Sequence, residues 1–373
     1  MSAGVIELTG TGGTTCETFL VVSITDTDTV TTAARHAWAL SFGAGIEPVD
    51  PAPSTVLWDE PHRLLRRYDT EFQSAASDSA VLLVPPLAAP ATCFDLRRDQ
   101  SLARYLVETG RAPYLVDYGE ISFADRRMGV EDWVTDILPE AILRVSADRG
   151  GAPVDLIGWS VGGMFSLLTA AANPELPIRS VTGVGPPLDY DKMLGIPQLR
   201  AVANLTGGWG ATALVRAAGG IPAPLTKLAY RLAAYDRELA RPRFIARNIT
   251  DAATLAKMES IDRFQAAMPG YPGRFYNQLW GRMMLANDIG NGRLELADRT
   301  IELADVRVPV LLIGGESDVI TPKAAVEAGL RTLSGSSSVT YEVVPGSHLG
   351  ILTGPEARET TWAHLDKFLA ERD

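Results

Sequence analysis

Six short apolar runs recur along the chain, and they constrain its fold more than any other feature. They are rich in Val, Leu and Ile and alternate little with polar residues. The runs are residues 80–84, 112–118, 153–159, 180–185, 308–314 and 339–344. Strands buried on both faces have this composition, because helices cover both sides of a parallel sheet. We therefore predict six strands in a mostly parallel central sheet.

The segments between these runs have the spacing of amphipathic helices. Within residues 130–145 the apolar side chains recur at steps of three and four, and Pro139 is expected to interrupt that helix. Residues 356–371 repeat the pattern at the end of the chain. Strands that alternate with helices predict a doubly wound α/β architecture.

The alternation stops between the fourth and fifth runs. No convincing strand is visible there, but stretches such as 225–239 and 275–288 fit helices. We therefore predict a mostly helical cap at residues 186–305, inserted after the fourth strand of the core. Its aromatic and Met side chains are candidates to line an acyl tunnel, although ordinary core packing explains any one of them. These side chains are Trp209, Tyr230, Phe275, Trp280, Met283 and Met284.

The remaining residues divide into a core and a lead-in. Residues 55–185 and 306–373 make up the predicted core, whereas residues 1–54 are rich in Thr, Ser, Ala and Gly and have little periodicity. We expect that the sequence of this lead-in specifies its structure poorly and that the segment is loosely ordered.

Charge and motif content exclude several classes of protein. The net charge of −11 argues against a nucleic-acid binder and against broad attraction to anionic lipid. No signal peptide and no apolar stretch of about 18 residues is visible, so a cytoplasmic protein is expected. Cys16 and Cys93 predict two unpaired thiols. The lack of metal-binding His patterns and of a phosphate-binding loop predicts neither a metal nor a nucleotide cofactor.

Residues 158–162 read Gly-Trp-Ser-Val-Gly, and their setting gives this short motif its meaning. A buried-strand run precedes the motif, and a helical run follows it. A nucleophile elbow requires this order, because a tight turn then aims the serine hydroxyl at the start of the helix. We predict that Ser160 is a catalytic nucleophile.

A serine hydroxyl needs a base, and the base needs an orienting carboxylate. His348 lies in a loop directly after the last strand run, whereas His364 lies within a helical pattern. Asp318 follows the fifth strand run, and Glu316 is its nearest competitor. We predict the order Ser160, Asp318, His348 for the catalytic triad, an order typical of the α/β-hydrolase fold.

The acyl oxyanion requires two backbone N–H donors. One is expected from Val161, the residue after the nucleophile. The other is expected from the loop after the first predicted strand, where Leu87 is the candidate and Ala88 the alternative. Pro85 and Pro86 cannot donate, because proline has no backbone N–H.

From about residue 55 to the end, the chain resembles the polyhydroxyalkanoate synthases and their α/β-hydrolase relatives. Residues 84–120 are similar to the family's first strand, long first helix and second strand with its Asp-Tyr-Gly step. Residues 258–315 resemble the family's segment that leads from the cap back to the core, and residues 346–354 resemble its histidine loop. The resemblance implies acyl transfer from coenzyme A thioesters through a cysteine thioester.

The family's nucleophilic cysteine is replaced here by Ser160, and Cys93 lies at the wrong place to substitute for it. An elbow serine favours hydrolysis of esters or thioesters of apolar acyl chains. Acyl transfer from acyl-coenzyme A is the alternative, and a non-enzymatic lipid-binding scaffold is a third reading. Peripheral contact with a lipid surface and a homodimer both remain open.

Overall fold

The computed structural model describes residues 27–43, 45–69, 80–206, 220–221, 223–233 and 235–372. Its centre is an eight-stranded sheet in the order β1-β2-β4-β3-β5-β6-β7-β8. The strands are β1 (Ser54–Trp58), β2 (Leu64–Tyr68), β3 (Ala80–Val84), β4 (Ala112–Asp117), β5 (Val154–Trp159), β6 (Ile178–Val184), β7 (Val310–Gly315) and β8 (Val339–Val344).

The six apolar runs form the six parallel strands β3 to β8, as predicted. Strands β3, β5 and β7 are buried along their whole length. Helices on both faces keep water away from these strands, so nearly every position is apolar. The carboxyl ends of the parallel strands therefore meet at one edge of the sheet, where their loops come together.

The sheet also contains two strands that the sequence did not predict. β1 and β2 form an antiparallel hairpin, and β2 pairs antiparallel with β4 at one side of the sheet. Both strands are only partly buried, and β2 contains Arg66 and Arg67. Strands with one face open to water tolerate charged residues, so these two lack the continuous apolar signal of the central strands.

Helices pack on both faces of the sheet and build the inserted segment. The helices are α1 (Thr27–Phe42), α2 (Leu102–Glu108), α3 (Leu138–Asp148), α4 (Val161–Ala172), α5 (Ile196–Thr206), α6 (Ala223–Ala233), α7 (Tyr235–Arg247), α8 (Ala252–Ala266), α9 (Gly273–Gln278), α10 (Lys323–Glu327), α11 (Gly329–Thr332), α12 (Gly350–Thr353) and α13 (Thr361–Ala370). Among the helices of the described ranges, none is long and apolar enough to span a bilayer.

The predicted interruption at Pro139 is confirmed as a change of helix type. Residues Asp132–Ile137 form π-helical turns, and α3 continues from Leu138 with Pro139 in its first turn. Proline has no backbone N–H for the hydrogen-bond series of a continuous α-helix, and it is tolerated in the first turn of α3, where that bond is not required.

The segment between β6 and β7 is mainly helical, and α5 to α9 all lie within it. The segment also contains two short strand pairs that the sequence did not reveal: residues 220–221 pair with 271–272, and residues 293–295 pair with 300–302. Two- and three-residue strands are too short to produce a periodic signal. Residues 186–305 remain our proposed extent of the cap.

The lead-in is better ordered than expected over the part that the structure describes. Helix α1 occupies Thr27–Phe42, and its His36 is buried with Nδ1 2.7 Å from the carbonyl oxygen of Ile249. This contact joins the lead-in to the segment after α7, more than 200 positions away in sequence. Local composition gave no sign of such a long-range contact. Residues 1–26 lie outside the described part of the chain.

Candidate active site

Ser160 lies on the sharp turn between β5 and α4. Its φ of 54° and ψ of −126° are unusual for a residue with a side chain, so the surrounding packing must stabilise them. A Cβ on Gly158 would lie 2.4 Å from the carbonyl carbon of Gly162, and one on Gly162 would lie 2.1 Å from the carbonyl oxygen of Val84. The two motif glycines are therefore required by close backbone approach, as an elbow demands.

The structure brings an imidazole to the serine hydroxyl. His348 follows β8, and its Nε2 lies 2.9 Å from Oγ of Ser160. The indole Nε1 of Trp159 donates a 3.0 Å hydrogen bond to the carbonyl oxygen of His348, and the two rings are 5.1 Å apart. Gly185, which lies beside the imidazole, has a φ of 62°, a backbone conformation that side chains rarely adopt. The histidine loop is thus held against the elbow from both sides.

A carboxylate completes the series. Oδ2 of Asp318 lies 2.7 Å from Nδ1 of His348. Its other oxygen, Oδ1, accepts hydrogen bonds from the backbone N–H groups of Ile320 at 2.9 Å and Thr321 at 2.8 Å. These bonds fix the carboxylate and leave Oδ2 free to face the imidazole. A proton can therefore pass from the hydroxyl to Nε2 while the carboxylate stabilises the imidazolium.

The three side chains are almost removed from water. Ser160 is 8% exposed, and His348 and Asp318 are each 5% exposed. The competitors considered from sequence lie elsewhere: Glu316 is exposed, and Nδ1 of His364 lies 3.8 Å from a carboxylate oxygen of Glu342. Burial strengthens the hydrogen bonds of the series, since the local dielectric constant is low.

The candidate oxyanion donors lie in two segments next to the elbow. Val161 opens α4, and the first N–H groups of a helix have no partner within the helix. Leu87 and Ala88 are buried in the loop after β3, with Ala88 at φ 60°. The start of this loop touches the elbow, because a Cβ on Gly162 would lie 2.8 Å from the carbonyl of Pro85. The assignment of Leu87 stays a prediction.

Two of the cap residues suggested as a tunnel lining pack in the core instead. Phe275 and Met283 are fully buried in the main core, where the Phe275 ring packs against Trp133 and Phe165 at 6.0 and 5.8 Å. Packing therefore explains these two residues. Trp280 and Met284 are only partly buried. Trp209 and the side chain of Tyr230 lie outside the described residues.

A cavity of about 800 Å³ lies beside the histidine loop instead. Ser347 and Leu349, the two neighbours of His348, contribute to its wall. Much of the remaining wall is apolar and comes from α7 and α8, with Phe244, Met258 and Ile261 among its residues. A space of this size and character suits an apolar acyl group.

Cys93, the other residue considered as a nucleophile, is excluded by its surroundings. It is fully buried, and its Sγ lies 3.7 Å from the carbonyl oxygen of Ala91. Burial raises the pKa of the Cys93 thiol well above its ordinary value, so the reactive thiolate is disfavoured. Cys16 lies outside the described residues. Within the described ranges, no group of three or more His, Cys, Asp or Glu side chains could hold a metal ion.

Comparison with known proteins decides the family. The sequence model of the α/β-hydrolase fold family matches residues 79–355 of this chain. These residues include the elbow, the loop with Asp318 and the loop with His348. The chain belongs to the α/β-hydrolase family. It is an enzyme of that class, in which strand order and the elbow turn position the reacting groups.

Within the α/β hydrolases, the chain is similar to polymerase subunits in sequence and to a lipase in fold. The poly(3-hydroxyalkanoate) polymerase subunit PhaC of Allochromatium vinosum is 25% identical over 86% of this chain and 89% of its own length. The same subunit from Thiocystis violacea is 23% identical over the same shares. The resemblance to polyhydroxyalkanoate synthases is thus confirmed over most of the chain. The crystal structure of Paleococcus ferrophilus monoacylglycerol lipase shares the fold, with 18% identity, a TM-score of 0.51, and coverage of 83% of this chain and 98% of that one.

Sequence reasoning missed the indole of Trp159 as a positioning group. Its hydrogen bond to the carbonyl oxygen of His348 joins the elbow to the histidine loop. The residue occupies a variable position of the Gly-x-Ser-x-Gly motif, so the motif itself gives no sign of this contact. Only the spatial meeting of the loops after β5 and β8 reveals it.

Proposed function

We propose that this α/β hydrolase transfers hydroxyacyl groups from a thioester through an ester intermediate on Ser160. One observation carries the proposal: Ser160, His348 and Asp318 are hydrogen-bonded in series at 2.9 and 2.7 Å, with the serine on a strained turn. Such a series activates an alcohol as a nucleophile at neutral pH. In this role His348 is the general base and Asp318 orients it.

The first half-reaction acylates the serine. Oγ of Ser160 bonds to the thioester carbonyl carbon while Nε2 of His348 takes the hydroxyl proton. The carbonyl oxygen becomes an oxyanion, for which the N–H groups of Val161 and Leu87 are the proposed donors. The oxyanion then re-forms the carbonyl, the carbon–sulfur bond breaks, and the departing thiolate takes the proton from Nε2.

The second half-reaction transfers the acyl group to a hydroxyl. The acceptor alcohol gives its proton to Nε2 of His348 and attacks the ester carbonyl, and Ser160 leaves with that proton. Similarity to the poly(3-hydroxyalkanoate) polymerase subunits over 86% of this chain supports a hydroxyacyl donor and an alcohol acceptor. The largely apolar cavity beside His348 supports an acyl group with an apolar side chain.

Hydrolysis is the second candidate, and the identity of the nucleophile favours it. We propose that Ser160 takes the place of the cysteine that the synthases use. An elbow serine forms an oxygen ester, which water cleaves when it reaches the site. The two candidates share the acyl-enzyme and differ only in the acceptor, so product analysis separates them.

The test is incubation of the purified chain with a 3-hydroxyacyl-coenzyme A. Intact-mass spectrometry measures the acyl adduct, thiol release measures turnover, and chromatography separates free acid from oligoester. We expect an adduct on Ser160, and its loss in Ser160→Ala and His348→Ala. His364→Ala is the matched control and should retain turnover, since His364 lies away from the series.

Each outcome has a distinct meaning. Oligoester as the main product supports acyl transfer, and free acid as the main product supports hydrolysis. Turnover that survives in Ser160→Ala contradicts both candidates. Turnover of p-nitrophenyl acyl esters but not of the thioester would remove the thioester donor from the proposal and leave the ester hydrolase.

A further inference from the structure

A groove of about 530 Å³ lies on the surface where the loop after β4 meets the inserted segment. Its wall includes Arg126 and Arg127 from that loop, together with Arg274 and Arg282 from α9 and the turns after it. Among the described residues that line it, there are four arginines and no acidic side chain. We call it the arginine groove.

Two of its four arginines are neutralised by carboxylates. Arg274 pairs with Glu131 at 2.7 Å. Arg282 pairs with Asp288 at 3.2 Å and also contacts Glu295. These ion pairs hold the two guanidinium groups in place but reduce the charge they present to the groove.

The other two arginines keep their charge. The Arg126 guanidinium lies 4.5 Å from the centre of the Phe123 ring and donates a 3.1 Å hydrogen bond to the Phe123 carbonyl. Arg127 is exposed. Within the described part of the chain, no carboxylate lies at ion-pair distance from either of these two arginines. The groove therefore presents at least two guanidinium groups that are free to meet an anion.

This concentration of positive charge is unusual for the chain as a whole. The net charge is −11, and several arginines outside the groove are paired with carboxylates. Arg97 pairs with Glu47 at 2.7 Å, and Arg104 pairs with Asp50 at 3.3 Å. In contrast, Arg126 and Arg127 of the arginine groove have no carboxylate at ion-pair distance among the described residues.

The wall of the groove leaves room for a ligand at Gly281. A Cβ on Gly281 would meet nothing within 4 Å, so the backbone there is open to approach. Gly281 and Arg282 lie on π-helical turns at Leu279–Leu285, a distortion that often occurs at functional sites.

We propose that the arginine groove binds a soluble phosphate ester. The planar guanidinium fork matches phosphate oxygens, and groups converging from two segments suit an anion with several oxygens. A concave groove of this volume suits a small ligand. The negative charge of the whole chain opposes attachment to an anionic bilayer, so a soluble ligand is favoured over a lipid headgroup.

The groove lies near the reaction centre but is separate from it. Pro269 lines a small cavity together with Leu87 and Ala88 of the proposed oxyanion loop. Arg274 follows Pro269 by five residues, and five residues span at most about 17 Å. Binding here does not require the chemistry of Ser160, so this inference goes beyond the proposed function.

The test is isothermal titration calorimetry with inorganic diphosphate as the probe. We expect saturable binding to the parent chain and a loss of about tenfold in affinity for each of Arg126→Ala and Arg127→Ala. Gly281→Glu should weaken binding further, because it places a carboxylate in open space inside the groove. Its neutral match, Gly281→Gln, should bind within about twofold of the parent.

Three further measurements keep the outcome decisive. Arg98→Ala removes an exposed arginine outside the groove and should leave the affinity unchanged. Ser160→Ala should bind diphosphate like the parent, which separates this site from the proposed active site. Absence of saturable binding, or parent-like affinity in both Arg126→Ala and Arg127→Ala, would overturn the proposal. Sedimentation with phosphatidylglycerol vesicles, without diphosphate binding, would overturn it in favour of a membrane site.

Discussion

Replacing Asp318 by Asn gives the sharpest test of the proposed mechanism. Oδ1 of Asp318 accepts two backbone hydrogen bonds, from Ile320 and Thr321, at 2.9 and 2.8 Å. In Asp318→Asn only the amide oxygen can accept those bonds, so the amide NH₂ must take the place of Oδ2. It would then face Nδ1 of His348, 2.7 Å from the present oxygen position. The imidazole must therefore accept at Nδ1 and carry its proton on Nε2.

A histidine in that tautomer presents an N–H to Oγ of Ser160 and cannot take its proton. The same amide replacement in a serine protease triad lowers kcat about 10⁴-fold, and we expect a loss of that size here. It corresponds to about 5 kcal/mol of transition-state stabilisation. The free energy of unfolding should change little, since the two backbone hydrogen bonds at residue 318 are kept.

The assay compares kcat for a thioester or p-nitrophenyl ester in the parent and in Asp318→Asn, with urea unfolding as the check on stability. Glu316→Gln is the matched control, because Glu316 is an exposed carboxylate in the same loop. It should retain the parent's kcat. A kcat in Asp318→Asn above one tenth of the parent's value, in a stably folded chain, would refute the role given to Asp318.

Two further predictions concern stability. Gly162→Ala should lower the free energy of unfolding by about 1–3 kcal/mol in urea titrations, because its Cβ would lie 2.1 Å from the Val84 carbonyl oxygen. Gly281→Ala is the control and should not lower the free energy of unfolding in this way, because a Cβ there meets open space. The pKa of Asp125 is pushed up by burial but held below its ordinary value overall by hydrogen bonds from Ser122 and His62. The ionised Asp125 carboxylate therefore contributes its full stabilisation above about pH 4, and this stabilisation is lost as pH falls through the lowered pKa. We expect the difference in urea midpoint between the parent and Asp125→Asn to shrink below about pH 4.

The site depends on segments that are distant in sequence but meet at one edge of the sheet. Ser160 follows β5, Asp318 follows β7 and His348 follows β8. Parallel strands bring their carboxyl ends to the same edge, so these loops converge whatever their separation along the chain. The burial of all three side chains follows from that convergence, since each loop covers the others.

The parallel core and the three residues of the series could be predicted from sequence because each has a local signal. A strand buried on both faces has to be apolar throughout, and an elbow has to carry small residues beside its serine. The loop positions of Asp318 and His348 follow once the strands are located. These features depend on a few neighbouring residues, which the sequence presents directly.

The remaining features depend on contacts between distant segments, so tertiary structure alone decides them. The β1–β2 hairpin is half exposed and lacks a continuous apolar run. His36 meets Ile249, the Trp159 indole meets the histidine loop, and Arg127 shares a groove with Arg282. Composition and spacing reveal which side chains a chain has and which face they share locally. Which of them neutralise, bury or face one another is settled only when the whole chain packs.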